Sequence, residues 1–519
     1  LNKGTILKAY TGKGNTDEKA LISVSSGACL RDISVYYPEQ SATAPVPYPY
    51  TIEGNGHSSL YNITLYNSYN GFKNNSCSSM IIREMYGTVL NNGIWGAYAY
   101  DVPRIEGVHF DTSYWAKSGF DNAPSGADLE KLNSYCEENL MALLGGEQDW
   151  GYWYDINVNH AKYACYLTAV MENSGKKVFP GNIAIGNLNT KNVQYGIYAH
   201  SISYPGLQVS YSDIEADKAC IYYAQKPADT DYIGNEDGTV KAAYYENASI
   251  IVNSTKFSGN GYAYQGENNS ENHSCINYNN CTFENNRENA IYMAGGNLVC
   301  SNGKFSYLGK SIKLDDNVIQ AVMTGNEFAG DSEITYNSET TTVSVSQEKT
   351  VTDTPDYSYD FAPSYTPESN KIFNVINYGA IPGVVDSTQA FVKALNAAKE
   401  AGGGTVYVPA GEYRLDGVVT IPSGVELRGS FDGAHYGNST GNGTVLYTYA
   451  NKDNESGEPF ITLEENAGVR GFTIIYPEQG ITDDASVDEI VHAYPATVQM
   501  NKKSWIRSCS INGCYTMID

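Results

Sequence analysis

A short tryptophan-rich stretch contains residue types that suit glycan chemistry. Glu147, Asp149 and Asp155 lie among Trp150 and Trp153. Hydrolysis of a glycosidic bond needs one protonated carboxyl and a second carboxylate as base or nucleophile. Aromatic neighbours raise the pKa of a carboxyl by excluding water from it. These three acids are therefore our candidate catalytic residues, and the alternative is a hydrophobic flap whose acids are merely solvated.

Further side chains are candidates for binding a glycan. Sugar rings stack on aromatic faces, which suggests Trp115, Trp150 and Trp153 as stacking platforms, with Asp111 as a polar contact. The tetrapeptide Tyr-Pro-Glu-Gln occurs twice and contributes Gln40 and Gln479. In both copies proline ends a strand, so these glutamines either bind sugar hydroxyls or hold the next turn. No ligand spacing indicates a metal, and no motif indicates a cofactor.

Charge restricts the classes of partner. The chain has 33 basic and 58 acidic residues among 519, a formal net charge of -25. Such a field repels nucleic acid, anionic membranes and polyanionic substrates. No stretch is long and apolar enough to cross a membrane. We therefore expect neither nucleic acid nor a membrane as partner. A protein that acts on a glycan, as the tryptophan-rich stretch suggests, would take a polysaccharide or oligosaccharide as its partner and is expected to be secreted or on the cell surface.

A short repeat predicts the fold class. Phe257, Phe283, Phe305 and Phe328 follow one another after 26, 22 and 23 residues, each behind a small polar cluster. Short alternating runs separated by Asn and Gly indicate strands and turns. A period of this length is typical of stacked coils. The leucine-rich consensus is missing, so we predict an all-β chain, a right-handed parallel β-helix, with a β-sandwich as the alternative.

A larger repeat predicts two such solenoids in tandem. Residues 4–40 align without gaps to residues 443–479. We predict a first β-helix over 1–337, with an insertion at about 106–160 and a helix within it over 127–144. A linker over 338–371 and the start of a second β-helix over 372–519 follow. The first copy lacks its beginning and the second lacks its end, so we expect Leu1 to lie inside a coil.

The second copy begins with an amphipathic helix. The Asp-Ser-Thr sequence at Asp386–Thr388 opens it, and apolar residues recur at helical spacing: Ala390, Phe391, Ala394, Leu395 and Ala398. Gly402 and the two glycines after it end it. We predict that this helix caps the open end of the second β-helix, which would otherwise be an exposed edge.

The same segment resembles the pectate-lyase-superfamily module of glycoside-hydrolase-28-like proteins. The resemblance is carried by Asn377–Ala380, Asp386–Phe391, Gly402–Tyr413 and Val425–Gly429, about 60 residues in all. The family's Gly-Asp-Gly turn is replaced by Pro-Gly-Val-Val from Pro382. Two modules in tandem look like glycoside hydrolase family 55, the exo-β-1,3-glucanases, which implies a substrate cleft between two β-helices. No catalytic motif of that family is present to carry over.

Three functions remain open. The first is a glycoside hydrolase acting on a neutral β-glucan or related glycan. The second is a polysaccharide lyase, for which the acidic charge is unfavourable. The third is a non-catalytic glycan-binding protein, adhesin or tailspike-like fibre, because the fold serves all three.

Overall fold

Parallel strand pairing dominates the computed structural model. It describes residues 5–97, 99–146, 148–168, 181–200, 202, 206–224, 248–267, 274–285, 289–306, 312–329, 334–337, 339–351, 371–430, 443–479 and 491–519. The chain divides into unit 1, Leu1–Tyr359, and unit 2, Asp360–Asp519.

Unit 1 is built mainly from short strands in which Val, Ile, Thr and Tyr are frequent, as β propensity favours. Its described strands are β1 (Thr5–Lys8), β2 (Ile22–Val24), β3 (Cys29–Tyr36), β4 (Tyr50–Asn55), β5 (Ser59–Ser78), β6 (Ile81–Trp95), β7 (Ala99–Tyr100), β8 (Arg104–Phe110), β9 (Met141–Gly145), β10 (Gly151–Leu167), β11 (Ile183–Ala199), β12 (Leu207–Ser210), β13 (Asp213–Glu215), β14 (Ala219–Tyr223), β15 (Ser249–Asn253), β16 (Lys256–Gly259), β17 (Tyr262–Gly266), β18 (Cys275–Asn279), β19 (Thr282–Asn285), β20 (Ile291–Ser301), β21 (Lys304–Phe305), β22 (Ile312–Thr324), β23 (Glu327–Ala329), β24 (Ile334–Tyr336), β25 (Thr342–Ser346) and β26 (Lys349–Val351).

The phenylalanine repeat forms one column of the core. Phe257, Phe283, Phe305 and Phe328 pair in register on successive parallel strands. Their ring centroids are 5.4, 4.3 and 4.7 Å apart along the column, and the rings are stacked. The chain is therefore mostly β, and each coil pairs in parallel with the next. This is consistent with the predicted parallel β-helix and not with a β-sandwich, while the handedness stays a prediction.

In unit 1, residues with a left-handed backbone conformation stack in a column, one at the same corner of successive coils. Their φ values lie between 48° and 67°. The members are Asp32, Asn62, Glu84, Gly107, Asp155, Asn187, Tyr211, Ser254, Asn280, Asn302, Gly325 and Gln347. One residue in this conformation redirects the strand from one sheet to the next, and Asn, Asp and Gly tolerate it best. This explains the Asn-rich turns of the sequence.

The insertion in unit 1 is shorter than predicted. It consists of helices α1 (Ser113–Ala116) and α2 (Ala127–Asn139), which lie between β8 and β9. The expected helix starts correctly but ends five residues early, because Met141–Gly145 is a fully buried strand. Both ends of the expected 106–160 insertion belong to the regular parallel strands of unit 1, because β8 and β10 pair with each other.

The predicted linker is wrong at its beginning. β25 and β26 lie within residues 338–371 and pair in parallel with β22 and β23. Unit 1 therefore continues past Asn337. Thr and Val alternate there as a strand requires, but both faces are largely exposed at this last described coil, so the segment lacks the apolar pattern of the others.

The described residues of unit 2 form three parallel sheets and one α-helix. Its described elements are β27 (Ile372–Asn374), a 3-10 turn (Val375–Tyr378), β28 (Gly383–Asp386), α3 (Thr388–Glu400), β29 (Gly404–Tyr407), β30 (Gly411–Leu415), β31 (Val419–Ile421), β32 (Val425–Arg428), β33 (Thr444–Thr448), β34 (Ile461–Leu463), β35 (Gly468–Arg470), β36 (Phe472–Ile475), β37 (Ala496–Met500), β38 (Trp505–Arg507), β39 (Ser510–Asn512) and β40 (Thr516–Ile518). The predicted helix is confirmed, and its whole apolar stripe is buried. The Asp386 carboxylate accepts hydrogen bonds from the Thr388 amide and hydroxyl at 3.0 and 2.5 Å.

The aligned segments of the two units make the same contact. Tyr37 lies with its hydroxyl 3.0 Å from the Thr51 hydroxyl in unit 1. Tyr476 lies with its hydroxyl 2.8 Å from the Thr497 hydroxyl in unit 2. Burial raises the pKa of each phenol to about 12. The repeated sequence thus builds a similar buried pair in each unit.

Candidate functional site

Two of the three predicted stacking tryptophans are core residues. Trp115 is 0% exposed and Trp153 is 1% exposed. The Trp115 indole donates to Asn122 at 3.2 Å, and the Trp153 indole donates to Gln148 at 3.2 Å. Neither ring presents a face to a ligand, so both predictions are wrong. Trp150, in contrast, is 59% exposed, and its role as a stacking platform stays a prediction.

Gln40 holds a turn, and both Gln40 and Gln479 are buried away from any ligand. Gln40 is buried; its amide donates to the Val46 carbonyl at 2.9 Å and accepts from the Val46 amide at 2.6 Å. Gln479 is equally buried and accepts from the His492 amide at 2.8 Å. Side chains buried in this way cannot reach a glycan, so the assignment of Gln40 and Gln479 as binding residues is wrong.

The predicted catalytic acids fall into three situations. Glu147 lies outside the described residues. Asp149 is exposed in the turn before β10, away from the groove described below. Asp155 occupies the left-handed corner, where Asn157 and Asn187 each donate to its carboxylate at 3.2 Å. Their catalytic roles stay predictions.

A groove of about 480 Å³ lies on the outer face of unit 1. Its floor is formed by the end of β8, the middle of β10 and β11, and β13, and the start of α1 adds to its wall. The lining residues are His109, Phe110, Asp111, Ser113, Tyr114, Asn157, Val158, Asn159, Asn189, Thr190, Lys191, Asp213 and Glu215. Acids, a base and amides therefore converge in one concave surface, the usual setting of an active site.

Parallel register brings the first row of groove residues together. His109 pairs with Asn157, Asn157 with Asn189, and Asn189 with Asp213 on consecutive coils. The Asn157 amide donates to His109 Nε2 at 2.9 Å, and Asp155 Oδ2 lies 3.4 Å from the same nitrogen. Residues far apart in sequence thus form one outward column.

A second row lies two residues further along each strand. The Asp111 carboxylate accepts from the Ser113 amide at 2.7 Å and from the Asn159 amide at 2.8 Å. Asn159 pairs with Lys191 on the next coil. Glu215 follows on β13, one coil further. The prediction that Asp111 binds substrate stays open, but the structure does place it in the groove.

The charges around Asp213 differ in sign. The groove walls displace water from its carboxyl, and this desolvation raises the pKa of Asp213 although the side chain remains in contact with solvent. Lys256 opposes the rise, while Glu284 and Glu215 add to it. Lys256 is itself paired with Glu284 at 2.8 Å. Asp213 therefore stays protonated to higher pH than an ordinary aspartate.

A phenol lies close to the Asp111 carboxylate in the same groove. Burial and the charge of Asp111 raise the pKa of Tyr114. Its hydroxyl therefore remains a hydrogen-bond donor at neutral pH. Within the described ranges, no cluster of three His, Cys, Asp or Glu side chains is arranged to hold a metal ion, and no helix there is long and apolar enough to span a membrane.

Most groove residues were not predicted from the sequence. Asp111 was the groove residue that the sequence singled out, whereas His109, Tyr114, Lys191, Asp213 and Glu215 were not among the candidates. The one usable signal is the alternation of Asp213 and Glu215 around the buried Ile214, which marks two outward acids. Aromatic density drew the prediction to three tryptophans, of which Trp115 and Trp153 point into the core.

Comparison with known proteins places the sequence resemblance in unit 2. A family model described as rhamnogalacturonase A/epimerase, pectate lyase-like, matches residues 372–465. This supports a pectate-lyase-like superfamily for that segment. The groove lies in unit 1, outside the matched residues. The resemblance to glycoside hydrolase family 55, including the cleft between two β-helices, is not supported by these matches and stays a prediction.

Individual relatives match over short stretches. A mannuronan C5-epimerase, AlgE1, of Azotobacter vinelandii is 48% identical over 66 residues, 11% of this chain and 5% of that protein. Alginate lyase 7 of the same organism is 44% identical over 66 residues, 11% and 8%. Rhamnogalacturonase A of Aspergillus niger is 28% identical over 122 residues, 23% and 26%. The chain therefore matches only a minor part of each relative's length.

Proposed function

We propose that this chain is a carbohydrate-active enzyme that processes a uronic-acid-containing polysaccharide in the groove of unit 1, by hydrolysis. The observation that carries the proposal is a groove in which Asp213 and Glu215 project side by side from β13. Desolvation raises the pKa of Asp213, which favours it over Glu215 as the acid that protonates the leaving-group oxygen.

The second catalytic group comes from the same groove. Glu215 lies two residues from Asp213 on the same face of β13. Its carboxylate, when ionised, serves as base or nucleophile, whereas Asp111 lies three coils away by strand register and is left to bind substrate. The Asn159 and Tyr114 side chains also line the groove and offer donors for sugar hydroxyls.

The relatives favour an acidic substrate over the neutral β-glucan expected from net charge. Mannuronan, alginate and rhamnogalacturonan, after which they are named, are polymers that contain uronic acids. Local charge decides binding at short range, because overall fields are screened within about 10 Å. Lys191 lines the groove and offers a cation for a uronate carboxylate, beside the three acids Asp111, Asp213 and Glu215. An extracellular polysaccharide also agrees with the expected secreted location.

A lyase or epimerase is the second candidate. Both reactions remove a proton from the carbon next to a uronate carboxylate, so they need a base and a cation close together. Lys191, His109 and Tyr114 supply these groups within the groove, and the relatives include an epimerase and a lyase. The same groove would then use a different set of side chains.

Product analysis separates these reactions. Purified protein is incubated with mannuronan, polygalacturonate, rhamnogalacturonan and a β-1,3-glucan. Reducing ends without ultraviolet absorbance indicate hydrolysis, unsaturated ends indicate a lyase, and a changed uronate ratio by NMR indicates an epimerase. We expect Asp213→Asn and Glu215→Gln each to lower hydrolysis by about 10²-fold or more.

The matched control is Asp217→Asn, an exposed acid on the same coil that does not line the groove. Asp149→Asn and Asp155→Asn test the sequence-based candidates in parallel. Full activity in Asp213→Asn would refute Asp213 as the acid. Absence of all three products, with glycan binding retained, would favour a non-catalytic binding protein.

A further inference from the structure

Three exposed aromatic side chains form a strip beside the groove. Trp150, Tyr152 and Tyr154 are 59%, 47% and 50% exposed. Trp150 lies in the left-handed turn directly before β10. Tyr152 and Tyr154 flank the buried Trp153 and project from one face where β10 begins, about 6.6 Å apart along the strand. This is the scale of one sugar unit, and large exposed apolar groups in a row mark a binding surface.

The Tyr154 ring rests on the next coil. A side chain at Gly186 would have its Cβ 3.0 Å from Tyr154 Cδ2 and 3.5 Å from Cε2. Gly186 pairs in register with Tyr154, so the absent side chain leaves the space that the ring occupies. The ring is therefore held against the sheet while half of its surface faces solvent.

A guanidinium lies next to the strip. Arg104 pairs in register with Tyr152 on the preceding coil, so the two side chains are neighbours on the outer face. Arg104 is exposed and forms no ion pair with any residue in the described part of the chain. Arg83, by contrast, is neutralised by Glu106 at 2.7 Å. Among the described residues, therefore, no acid neutralises the positive charge beside the strip, although the protein has a net charge of -25.

The strip continues into the groove. Asp155 follows Tyr154 and turns the chain at the corner, and Asn157 beyond it lines the groove. Asp155 also lies 3.4 Å from His109, another lining residue. A polysaccharide bound in the groove therefore reaches Tyr154 by crossing the single corner at Asp155.

We propose that Trp150, Tyr152, Tyr154 and Arg104 form an accessory subsite for uronate units of a polysaccharide whose reacting part lies in the groove. This inference rests on the proposed function and adds the substrate's charge and length. The aromatic faces stack on pyranose rings, and the Arg104 guanidinium binds a carboxylate, which its planar fork fits. Substrates too short to reach the strip lose this binding.

Affinity electrophoresis in gels containing alginate, polygalacturonate or a neutral β-glucan tests the subsite without turnover in the Asp213→Asn background. We expect Tyr152→Ala and Tyr154→Ala to weaken binding of the acidic polymers about tenfold each. Arg104→Gln should weaken binding of the acidic polymers and leave the neutral one unchanged. Gly186→Val, which displaces the Tyr154 ring without deleting it, should act like Tyr154→Ala.

The control is Tyr10→Ala, which removes an equally exposed ring of unit 1 outside the strip. Thermal unfolding of every variant checks that the fold is retained. If the Asp213→Asn protein binds none of the polymers, the proposed function fails together with the subsite. If it binds an acidic polymer and the strip variants bind equally well, the subsite is refuted and the proposed function stands. Equal loss on neutral and acidic polymers in Arg104→Gln would refute the uronate assignment.

Discussion

Asp213 lies directly opposite Lys256 on the next coil, and yet the pKa of Asp213 is raised. A lysine neighbour alone would lower it. Desolvation by the groove is the larger effect, and Glu284 partly neutralises Lys256 through their 2.8 Å ion pair. The groove therefore holds a carboxyl whose protonation is set by neighbours on three coils.

The first prediction concerns the pH dependence of activity. A general acid works only while protonated, so activity should fall as pH rises through the folded pKa of Asp213. Glu215→Gln removes a repulsive charge and should move this alkaline limb to lower pH. Lys256→Met removes an attractive charge and should move it to higher pH. The alkaline limb is measured from the dependence of kcat/KM on pH. A shift of this limb in the same direction in both variants would contradict Asp213 as the general acid.

The same shift predicts how stability depends on pH. A carboxyl with a raised folded pKa contributes stability that is complete below its unfolded pKa and is lost as pH rises through the folded pKa. Asp213→Asn does not titrate. Its free energy of unfolding relative to the unmodified protein should therefore rise across this interval. Chemical denaturation at several pH values measures the difference, and a constant difference would be inconsistent with a raised pKa.

The third prediction tests the left-handed corner. Asn302 has φ 53°. Asn302→Val places a β-branched residue there and should lower the free energy of unfolding by about 1–2 kcal/mol or more. Asn302→Gly, which accepts this conformation, is the control and should change stability far less. Equal losses in the two variants would point to the side-chain contacts of Asn302 instead of its backbone.

The fourth prediction concerns the phenylalanine column. Phe305 is fully buried between Phe283 and Phe328. Phe305→Ala should destabilise unit 1 by about 3–5 kcal/mol, because it removes a large side chain and leaves a cavity. Phe305→Leu keeps most of the volume and should cost much less. Denaturant unfolding followed by circular dichroism provides the measurement, and a loss below about 1 kcal/mol would mean that the column collapses around the gap.

Repeated features of the fold could be predicted from the sequence, whereas the groove residues, which come together only in the folded chain, could not. Phe257 and its successors recur at a fixed period, and the stripe of α3 recurs at helical spacing, so both could be read from the chain. His109, Lys191 and Asp213 meet only through the register of successive coils, which no local pattern reveals. Trp150 and Trp153 show the same limit, because alternation alone does not tell which of two neighbouring rings points outward.

The contacts shared by the aligned segments bear on how the chain assembles. Besides the Tyr37–Thr51 hydroxyl pair and its counterpart, Lys13 and Glu39 are 3.5 Å apart in unit 1. Lys452 and Glu478 are 3.7 Å apart at the aligned positions of unit 2. Because the aligned segments of the two units are so similar, a strand of the nascent chain could pair with the corresponding strand of either unit. Unpaired strand edges exposed during synthesis favour wrong pairing. The order of synthesis therefore reduces mispairing, because a first unit that has already folded no longer exposes unpaired strand edges when the second unit is synthesised.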